Sequence, residues 1–272
     1  MPELPEVETV KLALNTHLLK CKIINMNLNT QKLRFPIPQD FIETLQGKII
    51  KQILRRGKYL LLNFNSDITL LVHLGMTGIF KIEKKYVPEK HDHIIFNFSS
   101  KFLIYNDIRR FGFFKIYNRK ELNNSSHLIK LGIEPLKRDL NYYSFLEKIL
   151  NKSQSIKQFL MDQKNIAGLG NIYCSEILFD TKILPTRNVN DLKNFEIKKL
   201  VLSIKKVLKL AILKGGTSLR DFKEPMGKIG YFKNELKVYG LENKNCFYCK
   251  KKSKIKKIIQ QGRSTFYCSS CQ

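Results

Sequence analysis

The sequence predicts an α+β protein with a β-rich N-terminal part, a helical C-terminal part and a small cysteine module at the end. Three observations carry this reading. Between residues 22 and 117, short apolar runs such as KYLLLNF, ITLLVHL, HIIFNF and KFLIYN are separated by turn-like NSD and SSK. Beyond LGIEPL, residues 131–136, the apolar positions recur at helical spacing. The last residues carry Cys246-x2-Cys249, eighteen intervening positions, and Cys268-x2-Cys271.

Taken in order, the first element is a helix after Pro5, with Val7, Val10, Leu14 and Leu18 on one face, ending near Lys20. Proline suits a first helical turn, and Glu6 and Glu8 complement the positive end of the helix dipole. Glu3, which precedes the helix, and Pro2 are not explained this way. The strands that follow suggest a sandwich or barrel-like antiparallel domain. YYSFLEKIL, SIKQFLMDQ, NIYCSEILFDT and a long run from Asp191 to Lys214 are then helical, the last closed by Gly215 and Gly216. The expected division is 1–130, 131–235 and 236–272. No internal repeat is present.

Length and composition fit a globular protein with a true core: 272 residues, 43% hydrophobic and 11% aromatic. No run approaches the roughly 18 apolar residues of a membrane span, and the start lacks a signal-peptide pattern. Paired cysteines suggest a reducing compartment and metal binding, hence a cytoplasmic protein without a membrane partner. The formal net charge of +26 favours a polyanionic partner, chiefly nucleic acid. Most single lysines fit a solvated surface equally well. The ten arginines are more selectively placed, with Arg55, Arg56, Arg109, Arg110 and Arg263 in motif segments.

Four thiolates at this spacing can close a tetrahedral shell around one Zn²⁺, and with no open position the metal is structural. Two redox pairs are the alternative, but nothing nearby resembles a thioredoxin unit. Cys21 and Cys174 read as core. Between the cysteine pairs, KKKSKIKK and QGRSTFYC make the module a basic hairpin suited to phosphate contact. NIAGLGNIY, residues 165–173, is either a plain helix connection or a glycine turn offering N–H groups to an anion, with Asn171 as helix cap. HLGMTG and YNDIRRFGFF place Met76, Arg109 and Phe111 on turns after strands, as core residues or as wedges for a base stack. His91 and His93 in EKHDHIIF lack an obvious third ligand.

Removal of Met1 would free the secondary amine of Pro2. An α-amino group titrates at about 7.7–8.0, and a cation such as Lys58 lowers that value. Attack on a sugar C1′ would give an iminium that acidifies C2′ and permits strand cleavage by elimination. Glu3 beside it could protonate the sugar ring oxygen. An incidental acidic N-terminus fits this short stretch as well.

Taken together, MPELPEVET, RRGKYL, HLGM, EKHDH, RRFG, LG-EPL, GLGNIY-SE, GYF…L-VYG and CxxC…GR-TFYCxxC, in this order, resemble the bacterial formamidopyrimidine-DNA glycosylases. The resemblance spans nearly the whole chain. It implies a β-sandwich domain plus a helix–two-turn–helix domain with a four-cysteine zinc finger and damaged double-stranded DNA in the cleft between them; a monomer, associated with the nucleoid through DNA, is expected because closing around DNA leaves little reason for a dimer. It implies removal of 8-oxoguanine and formamidopyrimidines followed by β,δ-elimination.

By the same resemblance, Pro2 is the Schiff-base nucleophile, Glu3 the proton donor, and Glu6 a helix glutamate near the site. Lys58 serves β-elimination; Arg263 serves δ-elimination and phosphate contact. His73, His91, Lys152, Lys157 and Asn171 contact DNA or the lesion. Met76, Arg109 and Phe111 fill the space left by the flipped nucleotide, and residues 217–232 close over the base. Ile108 and Ile229 replace prolines frequent in the family, which affects turn stiffness. A sister branch acting on oxidised pyrimidines has glycine where Leu4 stands and lacks the Met–Arg–Phe set. A non-catalytic zinc-finger binding protein would explain the charge and cysteines but leave Pro2 and Glu3 without a role.

Overall fold

The structure, a computed structural model, describes residues 2–217 and 231–272. The described residues form two compact units, 2–129 with 214–217 and 231–233, and 130–213 with 234–272. Residues 214–217 and 231–233 group with the N-terminal unit, and the cysteine module groups with the helices.

The first unit opens with α1, Leu4–Leu18, which buries Val7, Val10, Leu14 and Leu18, the face read from the spacing. Then come β1 (Ile23–Leu28), α2 (Phe41–Leu45), β2 (Ile50–Arg56), β3 (Tyr59–Phe64) and β4 (Ile68–His73). β5 (Ile79–Glu83), β6 (Asp92–Phe98), β7 (Lys101–Asn106), β8 (Phe113–Asn118) and the short α3 (Arg119–Leu122) complete it. The strands make two antiparallel four-stranded sheets, ordered β1-β6-β7-β5 and β2-β3-β4-β8. Their inner faces share one apolar core with α1. Phe114 of β8 meets Phe80 of β5 and Tyr105 of β7 edge-on, with ring centroids at 6.1 and 4.8 Å. Contacts of this kind add to burial, which stabilises by about 25 cal/mol per Å² of apolar surface.

The second unit contains α4 (Tyr142–Ile149), α5 (Ile156–Met161), α6 (Asn171–Thr181) and α7 (Asn194–Leu213). The first two start in capping boxes: Asn141 with Ser144, and Ser155 with Gln158, exchange backbone and side-chain hydrogen bonds. Gly170, not Asn171, caps α6; Asn171 is its first residue. The cysteine module adds β9 (Asn245–Cys246), β10 (Lys250–Lys254), β11 (Lys256–Gln260) and β12 (Arg263–Tyr267), paired β9–β10 and β11–β12. It joins the helices for two reasons. Phe179 of α6 lies in one apolar cluster with Val238, Cys246, Ile255, Phe266 and Cys268. The buried Glu176 carboxylate accepts from the backbone N–H groups of Lys237, Val238 and Tyr239 at 3.0, 3.0 and 2.8 Å.

Candidate functional site

Pro2 is buried at the entrance to α1, and Glu3 is the N-cap residue, 3% exposed. Glu6, 2% exposed, fixes Glu3: one carboxylate oxygen accepts from the Glu3 N–H at 2.9 Å. The other accepts from the Thr217 backbone N–H at 2.8 Å and its hydroxyl at 3.0 Å. Gly216 has φ of +76°, and a Cβ there would stand 2.9 Å from the same Glu6 oxygen. Only glycine allows this approach. The acidic start of the helix is therefore more than a dipole complement, because Glu6 fastens a segment distant in sequence to the chain terminus. The rest of the expected closing loop, residues 218–230 with Ile229, lies outside the described residues.

Glu8 has a different set of partners. It pairs with Lys11 and accepts from Arg55 Nε at 2.6 Å. Burial alone would raise its pKa, but the hydrogen bonds from Lys11 and Arg55, with their charges, outweigh it and hold the carboxyl below its ordinary value. Arg55 also donates to the Gly57 carbonyl at 2.9 Å. Arg56 pairs with Tyr59 in register, so Gly57 and Lys58 form a two-residue hairpin turn. Gly57 takes φ of +55° at the first turn position, as a type II′ turn requires. Lys58 is only 8% exposed. Glu8 and Arg55 thus tie α1 to the turn that carries Lys58.

His73, at the end of β4, stacks on Phe113 with centroids 5.4 Å apart and planes 11° apart. Its Nδ1 accepts from the Gly75 N–H at 3.0 Å, which leaves the neutral ring's proton on Nε2. Burial, then the positive charges of Lys58, Arg34 and His127, lowers its pKa to about 4. His73 is therefore a neutral donor at physiological pH. His91 takes φ of +74° and its ring lies 6.4 Å from that of His93. His93 is buried, with Nε2 2.9 Å from the Asp107 carbonyl oxygen.

Met76 and Phe111 are exposed at 37% and 41%, and Ile108 and Arg109 are exposed beside them. The Arg109 guanidinium lies 4.6 Å from the centroid of the Phe111 ring. Met76 and Phe111 thus present apolar side chains at turn tips, with an arginine against the second.

In the second unit, Arg263 is exposed and begins β12. Gln261 and Gly262, with φ of +49° and +68°, make the two-residue turn before it, the backbone signature of type I′. Its neighbours are firmly held. Lys157, 1% exposed, donates from Nζ to the Thr265 hydroxyl at 2.5 Å and the Ser264 carbonyl at 3.4 Å. Asn171 donates to the same Ser264 carbonyl at 2.8 Å. Lys157 and Asn171, expected to contact DNA, are therefore directed at the strand behind Arg263. Lys152 is exposed just past α4.

The ligand atoms of Cys246, Cys249, Cys268 and Cys271 lie within 4.8 Å of one another. All four thiols are free. The Cys246–Cys271 and Cys249–Cys268 sulfurs are 3.6 and 3.8 Å apart, and those of Cys249 and Cys271 are 2.7 Å apart. Tetrahedral ligands about 2.3 Å from a metal would be separated by about 3.8 Å. The four-thiol donor set and its clustering fit a closed metal shell, with Cys249 and Cys271 closer together than ligands around a metal would be. Among the described residues, no helix is long and apolar enough to cross a membrane.

Residues that sequence reasoning did not single out also shape the site. Glu176 anchors the cysteine module, and Asp107 and Thr77 hold the tips described above. Asp107 stands out in the sequence only as an acid ending an apolar strand run.

The formamidopyrimidine-DNA glycosylase N-terminal domain pattern matches residues 1–114, and the formamidopyrimidine-DNA glycosylase H2TH domain pattern matches residues 131–223. The chain is 43% identical, over 276 residues and 100% of both chains, to the formamidopyrimidine-DNA glycosylase of Wolbachia pipientis subsp. Culex pipiens. It superposes with a TM-score of 0.92 on a Lactococcus lactis FPG mutant in complex with Fapy-dG containing DNA, at 36% identity and covering 100% and 99% of the two chains. A Lactococcus lactis Fpg in complex with abasic site containing DNA gives a TM-score of 0.91 at 36% identity, covering 99% of each chain.

Proposed function

The chain belongs to the formamidopyrimidine-DNA glycosylase family, and from that premise we propose that it excises oxidised purines, 8-oxoguanine and formamidopyrimidines, and then cuts the strand at the resulting site. DNA glycosylase function in repair follows from the family. The choice of lesion and the lyase steps are our reading. The observation that carries it is the N-terminus: Pro2 and Glu3 are buried at a helix entrance whose geometry Glu6 fixes from both sides.

In this reading, Met1 is removed and the Pro2 nitrogen attacks C1′ of the flipped nucleotide. The bond from C1′ to the base breaks, the departing base takes up the proton lost by the Pro2 nitrogen, and Glu3 protonates the sugar ring oxygen as its bond to C1′ breaks and the ring opens. The iminium that remains is charged without needing a proton, so it withdraws electrons from C2′. Lys58 assists loss of a C2′ proton, and the 3′ phosphate leaves. A second elimination, assisted by Arg263, releases the 5′ phosphate, and water frees Pro2. Flipping costs a few kcal/mol in lost stacking, which Met76, Arg109 and Phe111 offset by entering the gap. His73 contributes a neutral Nε2–H donor to the backbone. His91 and Lys152 contribute further contacts, and Lys157 and Asn171 hold the strand that presents Arg263.

The four cysteines bind one Zn²⁺, which supplies no chemistry to the reaction and closes the module around β9–β12. Incision of a duplex carrying one 8-oxoguanine opposite cytosine tests the reading. Strand ends bearing phosphate on both sides of a one-nucleotide gap are expected. Failure to cut, or cutting only of oxidised-pyrimidine duplexes, counts against it.

A further inference from the structure

We propose that the Thr77 hydroxyl, held by Asp107, locks the Met76 turn and the Arg109–Phe111 turn into one rigid wedge, so that the gap-filling side chains advance together. The functional half of this inference rests on the reading that these residues fill the space of a flipped nucleotide.

The two turns are separate connections between the two sheets. The first follows β4 and leads into β5; the second joins β7 to β8. One carboxylate serves both. Asp107 is completely buried. Its Oδ1 accepts from the Thr77 hydroxyl at 2.5 Å and from the Arg109 N–H at 3.3 Å. Its Oδ2 accepts from the Gly112 N–H at 2.8 Å and the Tyr105 hydroxyl at 3.0 Å. Burial, with the Asp107 charge and this hydrogen bond, drives the Tyr105 phenol well above its ordinary pKa, so it remains a donor.

Thr77 is the hinge of the arrangement because its hydroxyl acts in both directions. It donates to Asp107 and accepts from the Arg109 N–H at 3.1 Å. The residue beside Met76 is thereby bonded to the backbone of Arg109. The turns also touch directly. A Cβ on Gly75 would stand 2.4 Å from both Gly112 N and the Phe111 carbonyl carbon. Behind these contacts, the buried His93 ring lies against the Asp107 carbonyl.

A wedge must resist the strand it displaces. Side chains on two independently mobile turns would each lose entropy on insertion, whereas turns already fixed to one another have met that cost in the free protein. Hydrogen bonds to a buried charge are among the stronger ones, and leaving one of its donors unmatched is unfavourable.

The test uses the full chain and two substitutions at half-buried Thr77. Thr77→Val keeps the shape and removes the hydroxyl; Thr77→Ser keeps the hydroxyl. Amide hydrogen exchange of the free protein reads the lock itself. Val should speed exchange in residues 73–78 and 107–112 alike, and Ser should restore slow exchange in both. A change confined to 73–78, or none, overturns the lock.

Excision reads its use. On a duplex with 8-oxoguanine opposite cytosine, Val should slow base removal about tenfold. Cleavage of a preformed abasic site in the same sequence, where less stacking must be broken, should stay within about twofold. Equal loss on both substrates, or no loss on either, overturns the functional half. If the unsubstituted protein cuts neither duplex, the proposed function fails, while the exchange result still decides the lock.

Discussion

The Glu6 carboxylate accepts a hydrogen bond from the backbone N–H of Thr217 at 2.8 Å, joining positions 211 residues apart. The other oxygen of that carboxylate holds the Glu3 N–H. Because both oxygens face donors, Glu6→Gln must turn an amide N–H₂ toward one of them. The expected cost is about 1–3 kcal/mol. A urea titration of the variant should show a lower midpoint at unchanged slope. An unchanged midpoint would mean that this carboxylate is not the clasp described here.

Glu176 is the corresponding anchor in the second unit. Burial raises its pKa, opposed by three backbone hydrogen bonds from Tyr239, Lys237 and Val238 and by the Lys237 charge. Glu176→Ala leaves three backbone donors unmatched. Residues 237–239 should then exchange their amides much faster, with α6 still helical by circular dichroism. Slow exchange in the variant would show that the cysteine module is held by its apolar cluster alone.

His73 gives a pH prediction whose sign is set by its lowered pKa. The folded-state value is about 4, below the ordinary 6.5. Its contribution is therefore fully present above pH 6.5 and is lost as the pH falls from there toward 4. The slope is at most about 1.4 kcal/mol per pH unit. His73→Phe keeps an aromatic ring against Phe113 and removes the titration. The stability difference between wild type and variant should shrink through that interval; a constant difference would contradict the burial argument.

Much of this organisation is legible in the sequence. Helical spacing marks α1 and α7, which bury one regular face, and short apolar runs mark β3, β4, β6 and β7, whose burial is nearly continuous along the strand. The cysteine spacing announces its own cluster. The role of Glu6 is less legible, since a first-turn glutamate looks like a dipole complement until the distant Thr217 is brought to it. Asp107 and Thr77 are invisible for the same reason: their meaning lies in two turns that meet only in the folded chain. Lys157 is read from the resemblance as a DNA contact, and only the folded chain shows its ammonium buried and bonded to Ser264 and Thr265 of β12. Asn171 is displaced by one position from the expected cap because Gly170 supplies the extended backbone before α6.

The cysteine module makes a further prediction. Cys249→Ser removes one of four thiolates, so zinc content should fall, and the affinity for duplex DNA should fall with it. Affinity of the intact protein should also decrease steeply with salt, since its basic groups meet phosphates. Full affinity in a zinc-free variant would separate the module from DNA binding.

The most direct test of the central claim is borohydride trapping on a duplex with one 8-oxoguanine opposite cytosine, followed by peptide mapping of the adduct. The account predicts a covalent cross-link at Pro2, with Met1 absent, that Pro2→Gly severely reduces while duplex binding is largely kept. A cross-link to another residue, or no cross-link from protein that lacks Met1 and carries zinc, would contradict it.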